Sequence, residues 1–258
     1  MGFCFMMRPA MTEPGSITLP ETADIETASD AYAARFAGPA GEWMLALQRR
    51  RVLAWLAEHP GSTVLDAAGG HAQLAIPLAE AGHCVTVTGS SPECARRLEG
   101  HARAGHLDFR QVDHLHLPFD DRQFAFTVCI RFLPHCGRWR ELIAELCRVT
   151  QTAVIVDYPA WRSVNVFSGL LFAAKRRWEG NTRPYALFRH RAVREIFRQN
   201  GFDPGDRYAQ FFFPMVLHRM LNRPGLSAAL EWIPRVCGLT AGFGSPVLAR
   251  FVRKENPA

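Results

Sequence analysis

The chain has 258 residues, of which 48% are hydrophobic, 21% charged and 11% aromatic. That apolar content excludes an intrinsically disordered chain, and 20 Gly with 17 Pro exclude collagen-like and low-complexity classes. The net charge of +6 is carried almost wholly by Arg with no run longer than three, which reads as solvated faces rather than a nucleic-acid footprint.

Residues 1–26 read as a flexible lead. The opening MGFCFMMR lacks the charged start and long apolar core of a signal peptide, Met11 is an alternative start, and 11–26 is polar and rich in Pro and Thr. Helical patterning begins near Ser29, covers 31–36, and resumes over 42–59 until Pro60-Gly61-Ser62 stops it. A β-type run over 63–66 leads into small residues and a helix over 71–81, in which Pro77 is tolerable only near the first turns. A strand over 84–88 follows, then Ser91-Pro92-Glu93 as the cap of a helix running to about 104.

Strands over 107–112 and 124–130 precede a helix over 138–149, with Trp139, Leu142, Ile143 and Leu146 on one face, and a fifth strand over 153–156. Beyond Tyr158 the pattern loosens. Residues 162–180 read as partly helical, 191–200 as a helix, 207–213 as a strand, 215–238 as a second helical insertion and 247–252 as a last strand. Near-continuous apolar strands alternating with amphipathic helices imply a parallel sheet covered on both faces, hence a doubly wound α/β domain. The apolar stretches over 166–174 and 211–217 are shorter than the ~20 residues a membrane-spanning helix needs. Seven cysteines without a Cys-x-x-Cys pair indicate neither a disulfide framework nor a zinc site, and favour a reducing, cytoplasmic setting.

In such a sheet, ligands bind beyond the carboxyl ends of the strands. The first strand delivers Asp66-Ala67-Ala68-Gly69-Gly70-His71, small residues that let a ligand approach the backbone, but not the Gly-x-Gly-x-x-Gly of a dinucleotide site. This segment resembles motif I of the class I S-adenosyl-L-methionine (SAM)-dependent methyltransferases. Gly82–Glu93 resembles their second strand and its loop, Asp113–Phe119 the segment whose Asp meets the adenine, Phe124–His135 the fourth strand and its tail, and Glu145–Val149 the helix before strand five.

The resemblance implies a Rossmann-like, mainly parallel seven-stranded sheet in the order 3-2-1-4-5-7-6, SAM as cofactor, S-adenosylhomocysteine (SAH) as product, and no metal. It divides the chain into helices over 27–60, a SAM-binding core over 61–158, and acceptor-side insertions over 159–190 and 213–245 of a single domain over 27–258. Carried over residue by residue, Asp66, Ala68, Gly69 and Gly70 meet the amino-acid end of the cofactor. Gly89 and Ser90 lie at the ribose and Asp113 at the adenine, with His114 and Arg131 as further cofactor-binding residues. Three positions depart from the pattern: Ala68 and Ala72 replace glycines, harmless only at negative φ, and Gly89 stands where an acid is usual. Loss of that charge-assisted bond is worth roughly 1.5–3 kcal/mol, with Ser90 or Ser91 as neutral substitutes, and restoring it by Gly89→Asp is expected to tighten binding.

His135 and Tyr158, just past strands four and five, are the candidate general bases. Tyr32, Arg35, Trp161, Asn181, Arg183 and Tyr185 are the candidate acceptor residues, in surroundings where aromatics and arginines alternate. Core packing explains most of those aromatics, and the remainder suggests a small apolar acceptor, lipid- or quinone-like, with an anionic portion; methylation on oxygen or carbon is expected over nitrogen. The mixture also leaves room for peripheral membrane contact, by a monomer or homodimer. The Asn/Asp-Pro-Pro-Tyr/Phe and Pro-Cys motifs of nucleic-acid methylation are absent, so no nucleic-acid partner is expected. The rival reading is a methyltransferase-like SAM/SAH-binding protein without turnover.

Overall fold

The computed structural model describes residues 19, 21–101, 106–163 and 185–254. Strands β1 (Thr63–Asp66), β2 (Cys84–Gly89), β3 (Leu107–Gln111), β4 (Phe124–Cys129), β5 (Thr150–Tyr158), β6 (Phe202–Ala209) and β7 (Val247–Arg253) form one sheet. Their order is β3-β2-β1-β4-β5-β7-β6, with β1 to β5 mutually parallel and β7 antiparallel to both of its neighbours. Val64, Leu65, Val85, Val87, Phe126, Val128, Val154 and Ile155 are all buried, because helices cover both faces and leave the central strands no polar side.

The helices are α1 (Ala23–Ala28), α2 (Asp30–Ala33), α3 (Pro39–Leu56), α4 (Ala75–Glu80), α5 (Trp139–Val149), α6 (His190–Gln199), α7 (Met215–Leu221), α8 (Pro224–Val236) and α9 (Leu239–Phe243). On one face Leu142, Ile143 and Leu146 of α5 meet Val193 and Phe197 of α6, whose Phe197 ring stacks on Phe251 at 3.8 Å. Val52 and Leu56 of α3 pack with Leu74 and Leu78 against the other.

Five elements differ from the sequence expectation, the first being β5, which runs Thr150–Tyr158 rather than 153–156 and so includes Tyr158. Residues 23–28, within or beside the expected flexible lead, are a helix whose Ala23, Asp24, Thr27 and Ala28 are buried. Helix α4 starts at Ala75 rather than 71, since Ala72 sits at φ +60° and the Gln73 amide bonds to the His71 ring, holding this segment as a turn. Pro77 thereby falls on the third helical residue, where its missing N–H leaves no bond unmade. Residues 92–98 form a 3-10 helix, with Ser91 Oγ accepting the Glu93 N–H at 3.4 Å.

Strand β6 begins at Phe202 rather than 207. It is an edge strand, so Pro204 is tolerated at the register shift between Pro204 and Arg207. The Phe211–Phe213 run lies beyond the strand, and Phe211 packs on Trp43 at 5.5 Å. Of the insertion expected over 159–190, the apolar stretch 166–174 and the candidates Asn181 and Arg183 lie outside the described residues.

Candidate functional site

The carboxyl ends of β1, β2 and β4 converge on the loop Ala67–Gly70. Asp66, fully buried, closes β1, and neither of its oxygens has a well-formed hydrogen bond. Burial pushes its carboxyl up to about 7, tempered only by the Ala75 amide. A Cβ on Gly69 would stand 2.4 Å from the Asp66 carboxyl carbon, so only glycine lets the loop fold over that acid. Ala68 and Ala72 adopt φ of +57° and +60°, contrary to the negative values that would make them harmless; each carries left-handed strain of about 1–2 kcal/mol. His71 holds the loop to β4: its Nδ1 accepts the Gln73 N–H and its Nε2–H donates to the Ile130 carbonyl at 3.4 Å. Burial and then Arg131 lower its pKa to about 3, so the ring is neutral.

The raised Asp66 pKa has a direct consequence for stability. The folded state favours the protonated acid, so its contribution is complete below the ordinary carboxylate pKa and is lost as pH rises toward 7. Asp66→Asn is expected to match wild type near pH 4 and to exceed it at pH 7.5 by roughly 2–4 kcal/mol. Urea melts at the two pH values check this; equal gaps at both would show an acid that stays ionised.

Beside this loop lies a carboxylate that sequence reasoning missed. Asp24 of α1 is fully buried; its Oδ2 accepts the Ser90 N–H at 2.6 Å and contacts His114 Nε2 at 3.3 Å and Cys94 Sγ at 3.4 Å, while Oδ1 accepts the Ser90 hydroxyl at 2.5 Å. Burial alone would raise its pKa, but the bonds from His114 and Ser90 prevail and hold it below the usual carboxylate range. The His114 ring tilts against Phe132 at 4.8 Å, and its Nδ1 is buried without a partner. Asp113 takes the Leu115 N–H at 2.9 Å and His116 Nδ1 at 3.1 Å, closing a turn at the crevice edge.

Gly70 and Gly89 border the same space. Cβ atoms there would come within 2.7 Å and 2.5 Å of Cys94 Cβ, and one on Gly89 would also come within 3.1 Å of the Phe109 ring. Position 89 therefore has no room for the acid that Gly89→Asp was expected to restore. Nothing in the local sequence around 24 marks Asp24 as a member of this cluster.

A second polar cluster forms where β4 and β5 end. Arg131, at φ +63°, donates its N–H to Asp157 Oδ1 at 2.6 Å, and its guanidinium bonds Gln73 and Gln48 and lies 4.1 Å over the Phe36 ring. Gln48 also donates to Asp157 Oδ2 at 3.3 Å. Burial raises the Asp157 carboxyl despite the Arg131 amide and charge beside it. Tyr32 packs on Phe36 at 5.8 Å with Arg35 over its ring at 5.0 Å, so Tyr32 and Arg131 are brought to one place. His135 ends the short turn Leu133–His135, with its ring 5.5 Å from Tyr185.

Tyr158 points elsewhere. It is fully buried, and its hydroxyl bonds His190 Nδ1 at the start of α6. Burial drives the Tyr158 pKa far up, and burial with Arg207 and Arg194 lowers His190 to about 4, so both are neutral near pH 7. His190 lines a cavity of about 630 Å³ at the carboxyl ends of β5 and β6, together with Trp161, Arg162, Phe188, Arg189 and Arg207. No acid lines it among the described residues, and Arg189 lies 5.8 Å over Trp161.

Residues 64–153 match the family model described as a methyltransferase domain. The chain's core is a methyltransferase domain. An uncharacterized protein of Mycobacterium tuberculosis and one of Mycobacterium bovis are each 34% identical to it over 93 residues. That match covers 34% of this chain and 34% of each relative, so the chain spans about a third of their length.

Magnesium protoporphyrin IX methyltransferase from Synechocystis, solved with bound SAH, shares the fold at TM-score 0.61 and 18% identity, over 89% of this chain and 97% of its own. Geranyl diphosphate C-methyltransferase from Streptomyces coelicolor superposes at 0.56 and 16%, over 80% and 79%. The cyclase SpnF superposes at 0.54 and 20%, over 80% and 81%. The methyltransferase domain thus has the class I sheet, in the order the resemblance implied.

Proposed function

We propose that this methyltransferase domain transfers a methyl group from SAM to oxygen or carbon of a small apolar acceptor that carries an anionic group. The arginine-lined cavity carries the acceptor class. Arg162, Arg189 and Arg207 provide charge with no acid among the lining described, while Trp161 and Phe188 provide apolar wall. The geranyl diphosphate enzyme, whose named substrate joins an apolar chain to an anionic group, is consistent with that chemistry.

SAM supplies a methyl group activated by its sulfonium when bound. The residues at the β1–β4 edge fit it through buried atoms that lack a well-formed hydrogen bond, the Asp66 oxygens and His114 Nδ1, which a polar ligand can satisfy. Asp66, Ala68, Gly69 and Gly70 face the amino-acid end, Ser90 the ribose, Asp113 and His114 the adenine. Asp24 stands in for the acid that Gly89 lacks: Oδ1 has one partner and keeps a free lone pair beside Ser90. Arg131, fixed by Asp157 and the two glutamines, orients the far end. His135, beside Tyr185, takes the proton that a hydroxyl or carbon acceptor sheds. Tyr158, fully buried, holds the cavity-lining His190 ring in place rather than acting as base. Tyr32, Arg35, Asn181 and Arg183 complete the acceptor side.

The described cysteines, all free thiols, suit a cytoplasmic protein. Among the described residues no helix is long and apolar enough to cross a membrane.

A SAM/SAH binder without turnover is the second reading, favoured by the packing of Asp24, Cys94 and His114 into the crevice and by a fold shared with a cyclase. Calorimetry with SAH, followed by incubation of the protein with labelled SAM and a cell extract, separates the two. Tight SAH binding and a labelled acidic, apolar product are expected; binding without any labelled product establishes the second reading. Asp113→Ala is expected to weaken SAH binding several-fold, and unchanged affinity removes Asp113 from the adenine site.

A further inference from the structure

Helix α8 is inside out. Ser227 and Glu231 are buried, whereas Trp232 (64% exposed), Ile233 (61%) and Val236 (66%) face solvent. Its neighbours do the same: Met220 of α7 is 79% exposed, and Leu239 and Phe243 of α9 are 43% and 44% exposed. Exposure of single apolar side chains is ordinary, but a run of them across three consecutive helices, α7 and α9 each packed on α8, is a surface made to be covered.

We infer that this face docks on the surface of an anionic lipid bilayer. Charge selects that occupant. Residues 211–245 contain one acid, Glu231, and it is turned inward to take the Phe212 and Phe213 N–H groups at 2.8 and 2.9 Å and His218 Nε2 at 2.9 Å. The same stretch carries Arg219, Arg223 and Arg235, none with a carboxylate partner among the described residues. A second copy of the chain would bring these cations against their equals with no acid between them. Anionic headgroups pair with Arg219 and Arg223, whereas Arg235 donates to the Gln210 carbonyl at 2.6 Å and lies over the Tyr208 ring; the apolar residues enter the acyl boundary, with Trp232 at the depth that indole prefers. The Glu231 bonds hold α8 with this side outward, so the orientation is built into the fold. Helix α9 also lines the arginine cavity through Ala241 and Gly242, which sets the docking face beside that cavity's rim.

The test is co-sedimentation of the full chain with vesicles of 30% phosphatidylglycerol in phosphatidylcholine, and with pure phosphatidylcholine. Binding at least ten-fold stronger to the anionic vesicles is expected, falling steeply with salt. Met220→Ser combined with Ile233→Ser is expected to cut binding at least ten-fold, with thermal melting and SAH affinity unchanged. Arg219→Glu with Arg223→Glu is expected to abolish the preference for phosphatidylglycerol. Trp232→Phe should remove the fluorescence blue shift while leaving most of the sedimentation intact. No binding to anionic vesicles at low salt, or equal binding by the serine variant, overturns the inference. So does a concentration-dependent dimer, seen by ultracentrifugation, that the serine variant abolishes. The vesicle result is independent of whether the protein binds SAM, since SAH affinity is measured separately.

Discussion

Asp24→Asn is expected to weaken SAH binding about 10- to 150-fold, the equivalent of one charge-assisted hydrogen bond worth roughly 1.5–3 kcal/mol. The carboxylate is fully buried and surrounded by donors: the Ser90 N–H and hydroxyl, His114 Nε2 and Cys94 Sγ. An asparagine offers one acceptor and turns an NH2 group against that donor set. The same change should lower folding stability by about 3 kcal/mol, because it leaves buried donors without a charged acceptor.

The pH dependence follows from the depressed Asp24 pKa. Its contribution is present above the ordinary carboxylate pKa and is lost as pH falls through the lower, folded value, so the gap between wild type and variant closes in acid. Calorimetry on the folded fraction and urea melts at pH 7 and pH 3.5 measure the two effects separately. A stability loss with unchanged SAH affinity would reduce Asp24 to a clamp for α1. Tighter SAH binding would mean that α1 competes with the nucleoside for Ser90 and His114.

Gly89→Asp, the change that sequence reasoning expects to tighten SAM binding, is expected to destabilise the fold by about 1–3 kcal/mol and bring no gain in affinity. The first added carbon already stands 2.5 Å from Cys94 Cβ and 3.1 Å from the Phe109 ring. Gly89→Ala should therefore cost nearly as much as Gly89→Asp, since the clash lies at Cβ and not at the carboxylate. Cys94→Gly removes the nearer obstacle, and a double-mutant cycle should recover a large part of the loss. Independent, additive effects of the two substitutions would show that the strand shifts to make room.

These two sites mark the limit of what could be read without the fold. Most strand positions were legible from short-range pattern, apolar runs, turn residues and caps within a few positions, whereas the sheet order and the placement of Asp66, Ser90 and Asp113 near strand ends came from the resemblance to class I methyltransferases. Pro77 was legible too, as an exception permitted only near a helix start. Left-handed Ala68 and Ala72 were not, since the loop that contains them is held by contacts distant in sequence, from the Ala68 N–H to Thr88 Oγ1 and from His71 to Ile130. Neither was the true extent of β6, where pairing with β7 overrode the unfavourable composition of residues 202–206.

The amino-acid order alone determined an α/β sheet and its helical covers, because hydrophobic periodicity is a local property. Tertiary structure decided which side chains meet there. Asp24 reaches Ser90 across 66 positions and His114 across 90, and Arg131 reaches Gln48 across 83. Such meetings are created by strand order and crossover direction, and burial then sets their energies by stripping water from every charge brought inside. The inward turn of Glu231, and with it the outward turn of Trp232 and Ile233, belongs to the same class: a helix shows its composition in one dimension, but only its neighbours determine which side is the interior.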